Sequence, residues 1–182
     1  PNWHVLVWFW CPQEKIDTQE HDDAAPYKAW QAAGWITGTP GNVTDYGPVR
    51  QRILQSMKDY DVVQVGFDKW NAQQLANELL EADVPLVEIP QNTGGMHPGS
   101  KMLEELVYGF LLQHGGNPVL RWCAMNTALL FDSNGNFRPN KKVSNDTGRI
   151  DGIVASVMAL SRASAHEDKG TIDDAIFKPI RS

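Results

Sequence analysis

Cysteine is scarce. Cys11 and Cys123 are the only two in 182 residues, too few for a disulfide framework, so both are expected as reduced thiols in a cytosolic setting. Long apolar runs are missing as well. Nothing approaches the roughly 18 residues of a membrane span, and the opening "PNWHVLVWFW" has neither the basic region nor the small-residue cleavage site of a secretory leader. Positive charge is in deficit: 16 Lys and Arg face 22 Asp and Glu, and a net of −6 gives nucleic-acid binding no global support. His4, His21, His97, His114 and His166 are scattered without the pairing that zinc needs, and neither a C-x-x-C pair nor a G-x-S-x-G elbow occurs. The segment "GGMHPGSKM" (94–102) comes near a phosphate-binding loop, since Gly94 and Gly99 have the right spacing. But Ser100 precedes Lys101 and Met102 follows it, so neither the ammonium nor the hydroxyl falls where phosphates and Mg²⁺ require it. It reads instead as a mobile glycine-rich loop.

What is present is a composition, 42% hydrophobic and 21% charged, that suits one soluble domain with its own core. "WHVLVWFW" (3–10) is apolar on both alternating faces, as in a strand covered on both sides. "PYKAWQAAG" (26–34) predicts a short helix ended by Gly34, and "WITGTP" (35–40) a short strand. "YGPVRQRILQSMKDY" (46–60) sets Val49, Ile53 and Met57 at helical spacing, with Asp45 as N-cap. Strands are predicted at "VVQVGF" (62–67) and "VPLVEIP" (84–90). Helices are predicted at 71–82, burying Leu75, Leu79 and Leu80, at "KMLEELVYGFLLQ" (101–113), and at 147–163. "TALLFDSNGNFRPNKKV" reads as a hairpin around Asn134-Gly135. Residues 1–164 form the expected domain and 165–182 a polar, loosely ordered tail. Strands alternating with helices after residue 45 imply parallel pairing, and the earlier strand pair an antiparallel section. The fold class is therefore α/β with a mixed sheet.

Two carboxylates stand out. Asp68 follows "VVQVGF" directly, at the carboxyl end of a strand, where α/β folds concentrate ligands. Asp151 lies near the start of the apolar helix "RIDGIVASVMAL", where Gly152 and Ala155 allow close approach to a sheet. Read locally, Asp68 is a helix cap and Asp151 a favourable charge in a first helical turn. Read together, they suit a hard cation such as Mg²⁺ or Mn²⁺. One stretch runs against the acidic whole: "FRPNKKVSNDTGR" (137–149) carries Arg138, Lys141, Lys142 and Arg149 against Asp146, a net of +3. That is either a solvated face or a phosphate-binding strip.

The order of "GNVTDY", "VVQVGFDKWNAQQLANEL", "VPLVEIPQ", "HGGNPVLRWCAMN" and "KKVSNDTGRIDGIVASVMAL" resembles the nuclease domain of the large terminase subunit of tailed double-stranded DNA phages, from about Trp8 to Leu160. The resemblance implies a ribonuclease H-like mixed sheet flanked by helices on both faces, with an added hairpin. It also implies a metal-dependent endonuclease that cuts concatemeric DNA during packaging. In that family three acidic residues hold two divalent metals, and two of them match Asp68 and Asp151. Lys69, Asn71, Gln91 and Lys101 fall near the implied site, Asn71 either supporting a ligand or starting a helix. Arg121, with the basic stretch, is a candidate for phosphate contact, and Trp122 for the core. Implied partners are double-stranded DNA, the terminase ATPase domain, the small terminase subunit and the portal protein. The implied location is the host-cell cytoplasm. The family's first acid lies on a strand ahead of "WHVLVWFW", and Pro1-Asn2 read as the remains of the turn joining the two. That strand and the ATPase domain are expected to be absent here, and cleavage by these residues alone to be weak or nil. Two other readings compete: a non-catalytic module docking on DNA or portal, and a ribonuclease H-like resolvase or transposase.

Overall fold

A computed structural model describes residues 2–18, 25–141 and 148–167. In chain order the elements are β1 (Trp3–His4), β2 (Trp10–Pro12), α1 (Gln13–Asp17), α2 (Tyr27–Ala32), β3 (Thr37–Thr39), α3 (Gly47–Asp59), β4 (Val65–Phe67) and α4 (Lys69–Leu80). There follow β5 (Leu86–Glu88), α5 (Thr93–Tyr108), β6 (Leu112–Gln113), α6 (Pro118–Met125), β7 (Thr127–Phe131), β8 (Phe137–Lys141) and α7 (Asp151–Glu167).

The strands pair as β1 with β6, β2 with β3 and β4 with β5, all parallel, and β7 with β8 antiparallel. Two sequence expectations are overturned here. The early pair β2–β3 is parallel, because α1 and α2 return the chain to its starting direction as a crossover does. The segment 3–10 is not one strand covered on both sides. It is paired only near its two ends, and Leu6 and Trp8 between them are 50% and 43% exposed. The hairpin is where it was expected, with Gly135 at φ +81° in its turn. Asp132 ties that turn by accepting from the backbone N–H of Asn134 and Asn136 and from the Asn136 side chain.

Among the described residues three cores carry the layers, one of them Ile89, Met96, Val157 and Met158 between α5 and α7. Ile16, Tyr27, Trp30, Ile36 and Val119 gather around α2, with Trp122 against them. Leu75, Leu79 and Val84 pack against Val49, Ile53 and Met57 of α3, so the spacing read from sequence is the packing face. Leu80 is not part of that core; it is 55% exposed at the end of α4. Asp45 works one position earlier than a cap: its carboxylate accepts from Gly47 N–H at 2.8 Å, while Tyr46 occupies the cap position.

The glycine-rich segment is the largest correction. It is the first half of α5, not a mobile loop, and the helix expected over 101–113 spans 93–108. Asn92 starts it, accepting from Gly95 N–H at 2.8 Å. The glycines serve helix packing. A Cβ on Gly99 would run into the Val157 carbonyl and lie 2.7 Å from Ser161 N, both on α7. After Tyr108 the chain turns through Phe110, at φ +54°, into β6. Gly99→Ala is therefore expected to cost about 1–3 kcal/mol by forcing α5 off α7. Gly94→Ala, which meets nothing nearer than 3.6 Å, should be neutral or gain up to about 1 kcal/mol. Urea midpoints of the two variants test this, and equal midpoints would contradict it.

Candidate active site

Asp68 stands directly after β4, half-buried, and α4 begins at the next residue. Asp151 is the first residue of α7 and is exposed. Contacts along α7 fix the relative direction of these elements. Gln64, just before β4, accepts from Arg162 Nε at 2.8 Å. Phe67, at the end of β4, is bonded to Ile89, and Gln91 two residues further on lies 3.4 Å from the Met158 sulfur. Moving forward along the strands therefore means moving back along α7. The carboxyl ends of β4 and β5 point toward the helix end that Asp151 occupies. Seven residues, about 10 Å of helix rise, separate Met158 from Asp151. Among the described residues no three His, Cys, Asp or Glu side chains are grouped closely enough to hold a metal ion.

The floor under Asp151 is tight. A Cβ on Gly152 would lie 2.9 Å from Phe9 and 3.1 Å from Leu120, so α7 opens pressed against the first chain segment and α6. The buried Cys123 thiol lies beside it. Burial pushes its pKa up to about 11; the Gly152 backbone opposes that and the Asp151 charge adds to it. A thiolate is thus disfavoured at neutral pH, which argues against a nucleophilic role for Cys123. Iodoacetamide at pH 8 should leave Cys123 unmodified in the folded chain and label it once urea unfolds it. Rapid native labelling would contradict the burial described.

The other candidates divide. Lys69 pairs with Glu88 at 3.4 Å next to Asp68, both largely in solvent. Nothing is described of the Asn71 side chain. Gln91 donates weakly to the Ile89 carbonyl, at the strand ends. Lys101 is a surface residue of α5 paired with Glu105 at 3.9 Å, and is not a flank of a loop. Arg121 lines a groove of ≈ 520 Å³ between α5, α6 and the hairpin. Arg138 sits on β8, with its guanidinium donating to the Pro139 carbonyl at 3.2 Å, and Lys141 ends the same strand. Arg149 is exposed two residues before Asp151, and Lys142 lies outside the described residues. Sequence reading missed α6. Its signal was the Asn117-Pro118 pair, cap followed by first helical residue, and Asn117 does accept from Val119 and Leu120 N–H at 2.9 and 3.0 Å.

One further feature borders the site. Trp3 and Val5 N–H donate to Leu111 and Gln113 carbonyls, and Phe9 C=O accepts from Thr37, so odd-numbered residues of this segment bond on one edge. Among the described residues Leu6 and Trp8, which alternate with these, bond to no other strand. By the same alternation Val65 and Phe67 face β5, and Gln64 and Gly66 face away from it. These two edges border a trough of ≈ 400 Å³, lined by Leu6, Trp8, Val63 and Gln64 and floored by Ser156, Ala159, Leu160 and Ala163 of α7. Among the described residues neither edge has a strand partner there.

This arrangement of parallel strands, flanking helices and hairpin is a ribonuclease H-like fold. Over residues 7–167 the chain matches the endonuclease domain of the terminase large subunit, and it belongs to that family. It is 36% identical over 182 residues to the large terminase subunit of Enterobacteria phage HK97, covering 98% of this chain and 36% of that protein. It is 28% identical over 174 residues to protein YmfN of Escherichia coli strain K12, covering 92% of this chain and 38% of that one. The crystal structure of the HK97 large terminase superimposes with a TM-score of 0.79 at 35% identity, over 88% of this chain and 34% of that one. The large terminase nuclease of thermophilic phage G20c with bound magnesium superimposes at 0.50, with 16% identity, over 66% of this chain and 64% of that one. The chain thus spans little more than a third of the curated relatives it matches.

Proposed function

We propose that this chain is the metal-dependent endonuclease part of a phage DNA-packaging terminase, cutting concatemeric double-stranded DNA in the host-cell cytoplasm. The observation that supports the reading is the relative direction of two elements: Asp68 directly follows β4, and β4 runs toward the end of α7 where Asp151 stands. Both are hard oxygen donors, suited to Mg²⁺ or Mn²⁺. A metal pair held there would activate a water and stabilise the leaving oxygen of a phosphodiester. Two carboxylates are few for two metals. The trough accounts for the shortfall, because one extended strand laid between Leu6–Trp8 and Gln64–Gly66 would satisfy both edges and could bring a further acid alongside Asp68.

The chain's own residues do the rest of the work. Asp68 and Asp151 bind the cation. Arg121, Arg138, Lys141, Lys142 and Arg149 neutralise phosphates that the acidic surface would otherwise repel. Lys69 and Gln91 lie next to the strand ends that border the site, and Asn71 and Lys101 are proposed near it from the family resemblance alone. The ATPase domain, small subunit and portal are the partners proposed from the family.

Calorimetric titration with Mn²⁺ tests the carboxylates. Asp68→Ala and Asp151→Ala should each weaken binding at least about tenfold, a loss of about 1.4 kcal/mol. Unchanged binding in both variants would remove the site. Plasmid nicking tests the trough: the 182 residues alone should cut weakly or not at all in Mg²⁺. The same chain preceded by the adjoining segment of the HK97 subunit should cut well. A second reading is a DNA- or portal-docking module, and failure of the lengthened chain to cut would turn the account to it.

A further inference from the structure

His97 has no part in the site as described, yet its contacts are specific. Its Nδ1 accepts the backbone N–H of Phe137 at 3.1 Å, and its ring meets the Phe137 ring edge-on at 5.1 Å. That N–H belongs to an edge. Asp132 N bonds the Asn136 carbonyl, so in the register Phe131↔Phe137 the alternation turns Phe137 and Pro139 away from β7. Proline has no N–H to offer, so over 137–140 the outer edge of β8 presents a single donor, and His97 takes it. Phe137 is buried and packs on Phe131, while Asp132 holds the turn from within. The hairpin is thus a finished unit that a side chain of α5 fastens to the domain.

We propose that His97 is a positioning residue for DNA: by holding β8 on α5 it fixes the hairpin's cations relative to Asp151. The line of support runs from Asp151 on α7, through the close α7–α5 contact at Gly99, to His97, Phe137 and the neighbouring Arg138. Among the described residues the hydrogen bonds of Asp132 stay within the turn, and its charge acts on His97 as well. The inference rests on the reading of the hairpin as a phosphate contact.

Amide exchange by NMR and duplex binding, both on the 182-residue chain with a short blunt DNA, test it. His97→Leu removes the acceptor and should speed exchange at Phe137 about fivefold or more, as loss of one hydrogen bond implies. It should also weaken duplex binding and lower the salt slope by about 1, as loss of a phosphate contact does. His97→Asn, whose Oδ1 can accept the same N–H, should restore both. Unchanged exchange at Phe137 in His97→Leu would overturn the proposal. So would faster exchange with unchanged binding and salt slope, if Arg138→Ala and Lys141→Ala together weaken binding. If that double variant binds like the parent, the phosphate reading falls, and with it the positioning role, while the exchange result still decides whether His97 fastens the hairpin.

Discussion

The contact between α5 and α7 is the constraint on which the other placements depend. Two helices approach this closely only where one side offers no side chain, and Gly99 supplies that place against the Val157 carbonyl and Ser161. Ser161 reinforces it with a hydroxyl bond to the Gly95 carbonyl at 3.3 Å. Ile89, Met96, Val157 and Met158 fill the space alongside. Through α7 the contact sets where Asp151 stands, and through α5 it carries the hairpin. A shift of one helix against the other would move the candidate cation ligand and the candidate phosphate contacts together.

The open strand edges are the second determinant. A strand edge with unpaired N–H and C=O groups is normally shortened, charged or covered. Among the described residues two such edges border one apolar trough, and Leu6 and Trp8 stay exposed within a segment whose composition is that of a buried strand. Sequence and structure disagree at these residues because apolar patterning records the environment a strand is suited to, whereas exposure records which neighbours are present. Under the proposed reading a single additional strand would remove the disagreement, lying next to β4, which Asp68 follows.

Much of the fold could be read from the sequence because the signals were local. Gly34 ended a helix, Asn134-Gly135 closed a hairpin, and Val49, Ile53 and Met57 marked a packing face. The failures were non-local. Gly94, Gly95 and Gly99 read as a loop because nothing in a linear sequence shows that α7 passes against them. The β2–β3 pair read as antiparallel because the short helix α1 carried no periodic signal to reveal a crossover. The candidate ligands Asp68 and Asp151 were chosen from a strand end and the neighbourhood of a helix start. Their common direction required Gln64 with Arg162 and Gln91 with Met158. His97 could not have been found, since its partner is a backbone N–H forty residues away.

The central claim is that the end of β4 and the start of α7 form one cation site. Anomalous diffraction from a crystal soaked in Mn²⁺ tests it most directly. The account predicts an anomalous peak coordinated by carboxylate oxygens of both Asp68 and Asp151. A peak bound to only one of them, or bound elsewhere with both carboxylates unliganded, would contradict it.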